Sequence, residues 1–514
     1  IGLLFLAKAL ASAKKHADIA MIQPAGLLMN QSGPVQKIRE KLYNEAKLVE
    51  VNNFSALRFG LFSKAIGPCC VLYLSNEESA INDVVTYLCP KIGGLDYIRI
   101  EPADWQEITR RELLDLPWIW TALMWGERRN LELIKKLEKL PTLQSKRDSG
   151  DLKTREGIIR GNQKLENNDI FERRIIDQRT KNIPLNLTAD SLPLNKNLHI
   201  DSAASTDFTA FQFPQLIIKQ SWTTKIRRFI ATKVEQGTED KGVLCSDSFV
   251  SVHSLDEQLL WRTWLAFNSC VAVWWQLLRS GQFSSFIPKP LENELRLVPL
   301  PEVATFDQIS HLTDYLEIDE ATKDAFSFSD PEWALIQDIF NFTLADFKDG
   351  ERSKGREPTS RHLEQDPLFD YAEWLINVFE TGLGHRRFSA TIFREEDETR
   401  QLPLRLIAIH LDCSSPDGEI SDLEMSNPKL LELLGNLHQK IFSSDSQKPM
   451  GFCIERHLRL YDLFTPEWSD SPVPTVFISK PDRQGVWSRT SAMRDADEIL
   501  SDILFSESGA QKTE

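Results

Sequence analysis

Cysteine is scarce and never paired for chemistry: seven residues in 514, none in a C-x-x-C arrangement. That spacing excludes a zinc ribbon and a disulfide framework. Cys69 and Cys70 stand side by side in an apolar run, which suits buried thiols. A reducing cytoplasm is the simplest compartment for such a set. Long apolar runs are missing too, since none reaches the ~20 residues of a membrane span. Residues 1–13 are apolar but lack a basic leader, and they read as an amphipathic helix of a soluble domain. No internal repeat is present, and no Gly-rich loop stands between a strand and a helix.

The net charge of −15 argues at first against a nucleic-acid partner. Its distribution changes that reading. Residues 302–514 hold 21 Lys+Arg against 41 Asp+Glu, whereas residues 1–301 hold the other 39 against 34. The acidity is local to the C-terminal part, and a DNA-facing surface before it is allowed.

The length suits about three domains at ~150 residues each. Residues 20–28 read as a buried strand, 35–45 as a helix, and 48–54 and 69–74 as strands, which together suggest an α/β unit. Residues 76–121 are looser, broken by Pro90, Pro102 and Pro117, and 128–140 form a charged amphipathic helix. Residues 144–197 are polar. A strand at 213–218, a basic stretch and a Trp-rich helix at 259–278 follow. The prolines of 286–301 require extended chain. Residues 306–350 are helical and 351–361 have linker composition. A last region has strands at 388–393, 404–410 and 475–478 and a closing helix at 491–504.

Residues 20–74 together resemble the second half of the catalytic domain of the amino-type DNA methyltransferases that methylate adenine N6. A Pro-containing turn follows the first strand. The helix carries Ile38-Arg39-Glu40-Lys41-Leu42, and Phe62 lies in the loop LFSKAIGP before the last strand. The resemblance implies an α/β fold: the C-terminal half of a Rossmann-like methyltransferase sheet, then a mixed α+β target-recognition region, then a small α+β accessory domain. It makes Phe62 a candidate wall of the target-base pocket, because extruding a base costs a few kcal/mol that stacking partly offsets. Lys64, two residues on, is placed to meet a phosphate. The plain alternative for Phe62 is a core residue at a strand start.

That family's catalytic motif, a Pro-Pro-aromatic preceded by a polar residue, has no counterpart, since no Pro-Pro pair exists here. Its Gly-rich loop for S-adenosylmethionine is also missing, and Gly93-Gly94 reads as a turn. No residue is therefore assigned as catalytic, cofactor-binding or metal-binding. S-adenosylmethionine is the cofactor of the full-length family, and none is bindable by motifs in this chain. With Ile1 opening the sequence and only about twenty residues before the first strand, the expectation is a fragment, inactive by itself.

A second resemblance is to the target-recognition region of large restriction–modification methyltransferases. Its elements are Gly157-Ile158-Ile159-Arg160-Gly161 with Asn162 and Lys164, a strand ending in a basic turn at 214–219, Phe267-Asn268-Ser269, and a Pro-rich exit at 297–301. Residues 219–233 (KQSWTTKIRRFIATK) hold five basic residues and no acid, with Trp222 and Phe229 interleaved. Lys219, Lys225, Arg227, Arg228 and Lys233 can neutralise phosphates, and guanidinium groups can read guanine edges. The alternative is a solvated basic hairpin. Trp261, Trp264, Trp274 and Trp275 fit a helix core better than a stacking platform.

The C-terminal sequence Lys480-Pro481…Trp487…Ala492…Asp495-Ala496-Asp497 resembles a module appended to some restriction–modification methyltransferases, with no chemistry attached. Asp495, Asp497 and Glu498 suit a helix start better than a metal.

The expected organisation is residues 1–100 for the catalytic half, 101–145 for a helical bridge, 146–305 for target recognition, 306–361 for a helical segment and linker, and 362–514 for the acidic accessory domain. The expected function is part of a site-specific adenine-N6 DNA methyltransferase of a restriction–modification system. The expected partners are double-stranded DNA and either a missing N-terminal half or a partner chain, with no membrane. The alternative is a non-catalytic DNA-recognition subunit that docks on a partner holding the missing half. A third reading, an acidic regulator that does not touch DNA, follows from the charge after residue 301.

Overall fold

The computed structural model describes residues 2–510 except 59–60, 63–66, 93–97, 165–169, 179, 181–182, 202–206, 224, 286, 288, 303–308, 364, 385, 397–401, 412–419, 443–452 and 455–456. The fold is mixed α/β with several mixed sheets. The chain divides into two compact units. The first is Ile1–Arg58, Ala65–Thr86 and Glu107–Phe340; the second is Phe59–Lys64, Tyr87–Gln106 and Asn341–Glu514.

The first unit begins with helix α1 (Gly2–Ser12) and strand β1 (Asp18–Pro24). The strand stops earlier than the apolar run suggests. Pro24 has no N–H to continue a ladder, and the next residues coil into the short helix α2 (Gly26–Met29), burying Leu27, Leu28 and Met29. Helix α3 (Gly33–Glu45) starts with Pro34 in its first turn. Strands β2 (Lys47–Asn53) and β3 (Cys69–Ser75) follow. β3 runs antiparallel to both β1 and β2 and lies between them. Two further strands, β4 (Val84–Leu88) and β5 (Trp105–Thr109), extend the sheet to the order β1-β3-β2-β4-β5. Residues 76–121 are thus less loose than their prolines imply, because Pro90 and Pro102 fall between strands. Helix α4 (Ile119–Trp125) is buried along its length. Its Trp120 Nε1 donates to the Tyr43 hydroxyl at 2.8 Å, and burial pushes the Tyr43 pKa up to about 12. Helix α5 (Arg128–Leu137) turns Leu131, Leu133, Ile134 and Leu137 inward.

The second sheet of this unit uses β6 (Lys153–Glu156), β8 (Asn186–Thr188), β10 (Gln215–Thr223), β11 (Arg228–Glu235) and β12 (Phe249–His253), in the order β8-β11-β10-β12-β6. The pair β7 (Gln163–Lys164) and β9 (His199–Ile200) forms a separate two-stranded ladder. One apolar cluster joins Ile158, Ile176, Ile217, Ile230, Val234 and Phe249. Against β11 and β10 pack helix α6 (Glu257–Asn268) and, on β11, helix α7 (Cys270–Arg279). The single Trp-rich helix expected at 259–278 is therefore two. Ser269 leaves the helical path and caps α7 by accepting from Val271 N. Trp261, Trp264, Trp274 and Trp275 are all core residues. Helix α8 (Tyr315–Phe326) follows.

The second unit is a sheet with helices on both faces. It comprises α9 (Pro367–Leu383), β13 (Phe388–Glu395), β14 (Leu404–Leu411), β15 (Ile420–Met425), α10 (Asn427–Phe442), β16 (Leu458–Phe464), β17 (Val473–Pro481) and α11 (Arg489–Ala510). The order is β15-β13-β14-β17-β16. Alternation explains the apolar runs. Ile407 and Ile409 join the cluster with α9 residues and Ile499 of α11, while Leu406 and Ala408 join Leu430 and Leu434 of α10. Short strands Lys91–Ile92 and Ile98–Ile100 belong here, the latter pairing with Cys453–Ile454. Residues 351–361, of linker composition, are pinned instead. Thr359 donates through N and Oγ1 to Asp482 Oδ1 at 2.8 and 2.7 Å, and Arg405 Nε donates to Thr359 Oγ1.

The C-terminal signature closes one buried cluster. Lys480 contacts Asp495 and donates to Ser491 Oγ at 2.8 Å and Val486 O at 3.0 Å. Tyr371 donates to Asp495 Oδ2 at 2.7 Å, and Trp487 Nε1 donates to Pro481 O at 3.0 Å. Burial lowers Lys480 to about 8 against the opposing pull of Asp495. Burial would raise Asp495, but Lys480 and Arg494 outweigh it and hold the carboxyl well below its usual range. The pair is ionised at neutral pH, so Asp495 is held as a structural counter-ion.

Candidate nucleic-acid interface

The basic stretch forms a β10–β11 hairpin with a register shift between Lys219 and Thr223. Lys225 stands exposed in its turn. Arg227 beside it takes a left-handed backbone (φ 56°), the conformation that closes the turn. The interleaved aromatics point inward: Trp222 meets Phe283 edge-on at 5.4 Å, and Phe229 lies 6.0 Å from the same ring. They are core residues, not a stacking platform. Lys219 pairs with Ile230, whereas Lys233 pairs with Leu216. Alternation therefore sets the two lysines on opposite faces of the sheet. Lys233 is drawn to the α6 side, 3.2 Å from Glu257 and 4.3 Å above the Trp261 ring.

Arg228 departs most from its expected role. It is buried, and its guanidinium donates to both Asp319 oxygens of α8 at 2.7 and 2.6 Å. It also lies 4.5 Å from the Phe340 ring. Burial opposes its charge, but the Asp319 bonds outweigh burial and raise its pKa. A guanidinium so engaged cannot reach a phosphate, and Arg228 leaves the candidate set. Asp319 also accepts from Cys270 N at 3.0 Å. Asn268, of the Phe-Asn-Ser element, accepts from Ala231 N at 3.0 Å and donates to Ala231 O at 2.8 Å, clamping α6 to the free side of β11.

The Gly-Ile-x-x-Gly element has a packing reason. A Cβ on Gly157 would lie 2.0 Å from Ser246 O, and one on Gly161 would lie 2.4 Å from Asp201 Cα. Ile158 between them is core and donates its N–H to Cys245 O at 2.7 Å. Arg160 is engaged locally, donating to Asn195 Oδ1 at 2.7 Å and Asn197 O at 3.1 Å. Burial lowers its pKa, with Asp177 opposing. Asn162 and Lys164 are exposed, and Lys164 faces His199 across the β7–β9 ladder.

In the N-terminal pattern, Arg39 of α3 is buried and donates to the Leu28 carbonyl and, at 3.0 Å, to Pro117 O. It fixes the end of α2. Phe62 is 44 % exposed. Lys64 lies outside the described residues.

No family model matches the chain. No curated protein matches it either. Among solved structures, the chain is similar to the type IIG restriction endonuclease BpuSI, at 14 % identity and TM-score 0.29, over 67 % of this chain and 48 % of that one. It is similar to a structure of a type I R-M system, at 16 % identity and TM-score 0.16, over 23 % of each chain. It is also similar to the M protein of the type I restriction enzyme EcoKI, at 15 % identity and TM-score 0.15, over 24 % of each. The chain spans about half the length of the BpuSI chain. At these scores the likenesses carry no argument about activity.

What the arrangement offers chemically is charge, not catalysis. Several cations around the second sheet are neutralised in place: Arg174 by Glu239, Arg228 by Asp319, Lys233 by Glu257 and Lys289 by Glu156. Lys164, Lys219 and Lys225 have no carboxylate partner among the described residues. Among the same residues no group of three or more His, Cys, Asp or Glu could hold a metal, and no helix is long and apolar enough to cross a membrane. Sequence reading missed Asp319 as the partner of Arg228, since 91 residues separate them. No local spacing signals such a pair.

Proposed function

We propose that the chain is the recognition portion of a site-specific DNA methyltransferase of a restriction–modification system, acting on adenine N6. Residues 1–100 would supply one wall of the catalytic domain, with Phe62 at the base pocket and Lys64 beside it. Residues 146–305 would read the target, and 362–514 would be an accessory domain. S-adenosylmethionine would bind to a part of the enzyme carrying the motifs that this sequence lacks. The observation that carries the DNA reading is the exposed Lys225 turn together with Lys164 and Lys219, cations that stay without carboxylates where their neighbours are paired. Asn162, Arg160 and Arg227 would add contacts around them.

A gel-shift or anisotropy titration of the whole chain with duplex DNA against salt tests this. Each lost phosphate contact lowers the log–log salt slope by roughly 0.9. The double substitution Lys225→Ala, Arg227→Ala is expected to weaken binding and to lower the slope by roughly one to two. A slope equal to that of the unsubstituted chain would sink the assignment.

One observation favours the second reading, a recognition subunit docking on a partner with the missing half. β1 is the terminal strand of its sheet among the described residues, and Ile22 on it, with Leu4 and Phe5 of α1, is well exposed. An open, apolar edge is an invitation to pair.

A further inference from the structure

In the second unit, a set of charges gathers that neither the DNA reading nor the Lys480–Asp495 pair uses. Arg99 lies with Nε 3.3 Å from Glu101 and Nη2 3.2 Å from Asp346. Arg483 reaches the same Glu101 oxygen at 2.9 Å, and Arg356 approaches Asp346 at 3.6 Å. Arg494 donates to Ser491 Oγ at 3.0 Å, and both it and His457 act on Glu101. Four guanidinium groups thus gather around two carboxylates, while Lys480 and Asp495 cancel each other beneath. His457 is enclosed there, and neither of its ring nitrogens has a hydrogen-bond partner among the described residues.

We propose that Arg356, Arg483, Arg494 and His457, backed by Arg99, form a binding site for a dianionic phosphate group. Crowded like charges in a half-buried place are costly without a counter-ion. An enclosed imidazole with two idle nitrogens adds a further cost. A phosphate dianion answers both, since its oxygens accept several forked donors at once. Its two charges balance the excess of two guanidinium groups, which the single charge of a diester does not. Arg356, Arg483, Arg494 and His457 are only partly buried, so solvent reaches the cluster. The titration behaviour agrees. Burial lowers Arg356, and Arg99 and Arg483 lower it further against Asp346. Burial would raise Glu101, yet Arg99 and Arg483 first among its neighbours pull it down to about 2. The residues come from five separate segments, and none of them lies in the region proposed to bind DNA.

The test is calorimetric titration of the full chain with inorganic phosphate at constant ionic strength, with sodium chloride as control. Saturable binding is expected, weakened tenfold or more by Arg356→Gln and by Arg483→Gln and unchanged by Lys225→Ala. His457→Gln, which removes no arginine, is expected to weaken it severalfold and serves if an arginine variant loses its far-ultraviolet circular dichroism. Competition by a 5′-phosphorylated oligonucleotide, but not by the same oligonucleotide without that phosphate, supports the site and names a strand end as the source. Competition by neither supports it with a free phosphate or a small phosphomonoester as ligand. Equal competition by both overturns the dianion assignment. So does the absence of saturable binding, or binding that follows Lys225 instead of the arginines.

Discussion

Arg228 and Asp319 form a bidentate pair buried between the hairpin and α8, with Cys270 N as a third partner. Removing one member of a buried pair strands the other charge, at a cost of about 3–5 kcal/mol. Asp319→Ala is therefore expected to shift the urea midpoint strongly downward with an unchanged m-value. A shift worth under about 1 kcal/mol would show that the pair does not anchor α8. In sequence, Arg228 and its neighbour Arg227 look alike, and residue type could not separate a buried anchor from a turn cation. The left-handed backbone at Arg227 and the carboxylate 91 residues away are what separate them.

At the scale of elements, the two glycines of the Gly-Ile-x-x-Gly element hold the chain against the backbone at Ser246 and Asp201. A methyl at Gly157 would meet a carbonyl oxygen, not a movable side chain. Gly157→Ala is expected to destabilise the first unit by about 1–3 kcal/mol or more through overpacking, read by thermal melting. An unchanged melt would show that the strand yields freely. Much at this scale was legible. The helix of residues 35–45, the strands at 48–54 and 69–74 and the later strands at 388–393 and 404–410 are near their observed places, because apolar periodicity is a local property. The failures have local causes too. Pro24 ended a strand whose apolar run continued into α2, and Ser269 divided a helix whose pattern did not. The linker composition of 351–361 hid hydrogen bonds to Asp482, which no local signal announces.

For the whole molecule, acid response should fall unevenly on the two units. Burial lowers His410 from 6.5 to about 4. Its neutral form is fixed by two threonines: Thr475 Oγ1 donates to Val473 O and so accepts from Nδ1, leaving Nε2 to accept from Thr391. Burial, then the nearby Lys480 and Arg494 charges, lower His457 to about 3. Between pH 6.5 and these values the unfolded chain binds protons that the folded one refuses, so stability falls as pH falls through that window. For His410 alone the loss amounts to about 3 kcal/mol. Both histidines lie in the second unit. Melting at pH 7 and pH 5 should lower the transition carrying the second unit. His410→Gln should flatten that dependence. An equal dependence with and without the substitution would refute the assignment.

Sequence by itself determined the kinds of element, the absence of cysteine chemistry and of a Pro-Pro or phosphate-loop motif, and the segregation of acidity after residue 301. These depend on neighbours in the chain or on plain counts. The tertiary structure alone decided which cations are available. It buried Arg228, set Lys219 and Lys233 on opposite faces, engaged Arg160 in a local turn and left Lys225 at a hairpin tip. It also gathered arginines from residues 99, 356, 483 and 494 around His457. Whether a charge is solvated or paired depends on groups distant in sequence, brought close only when the sheets and helices pack.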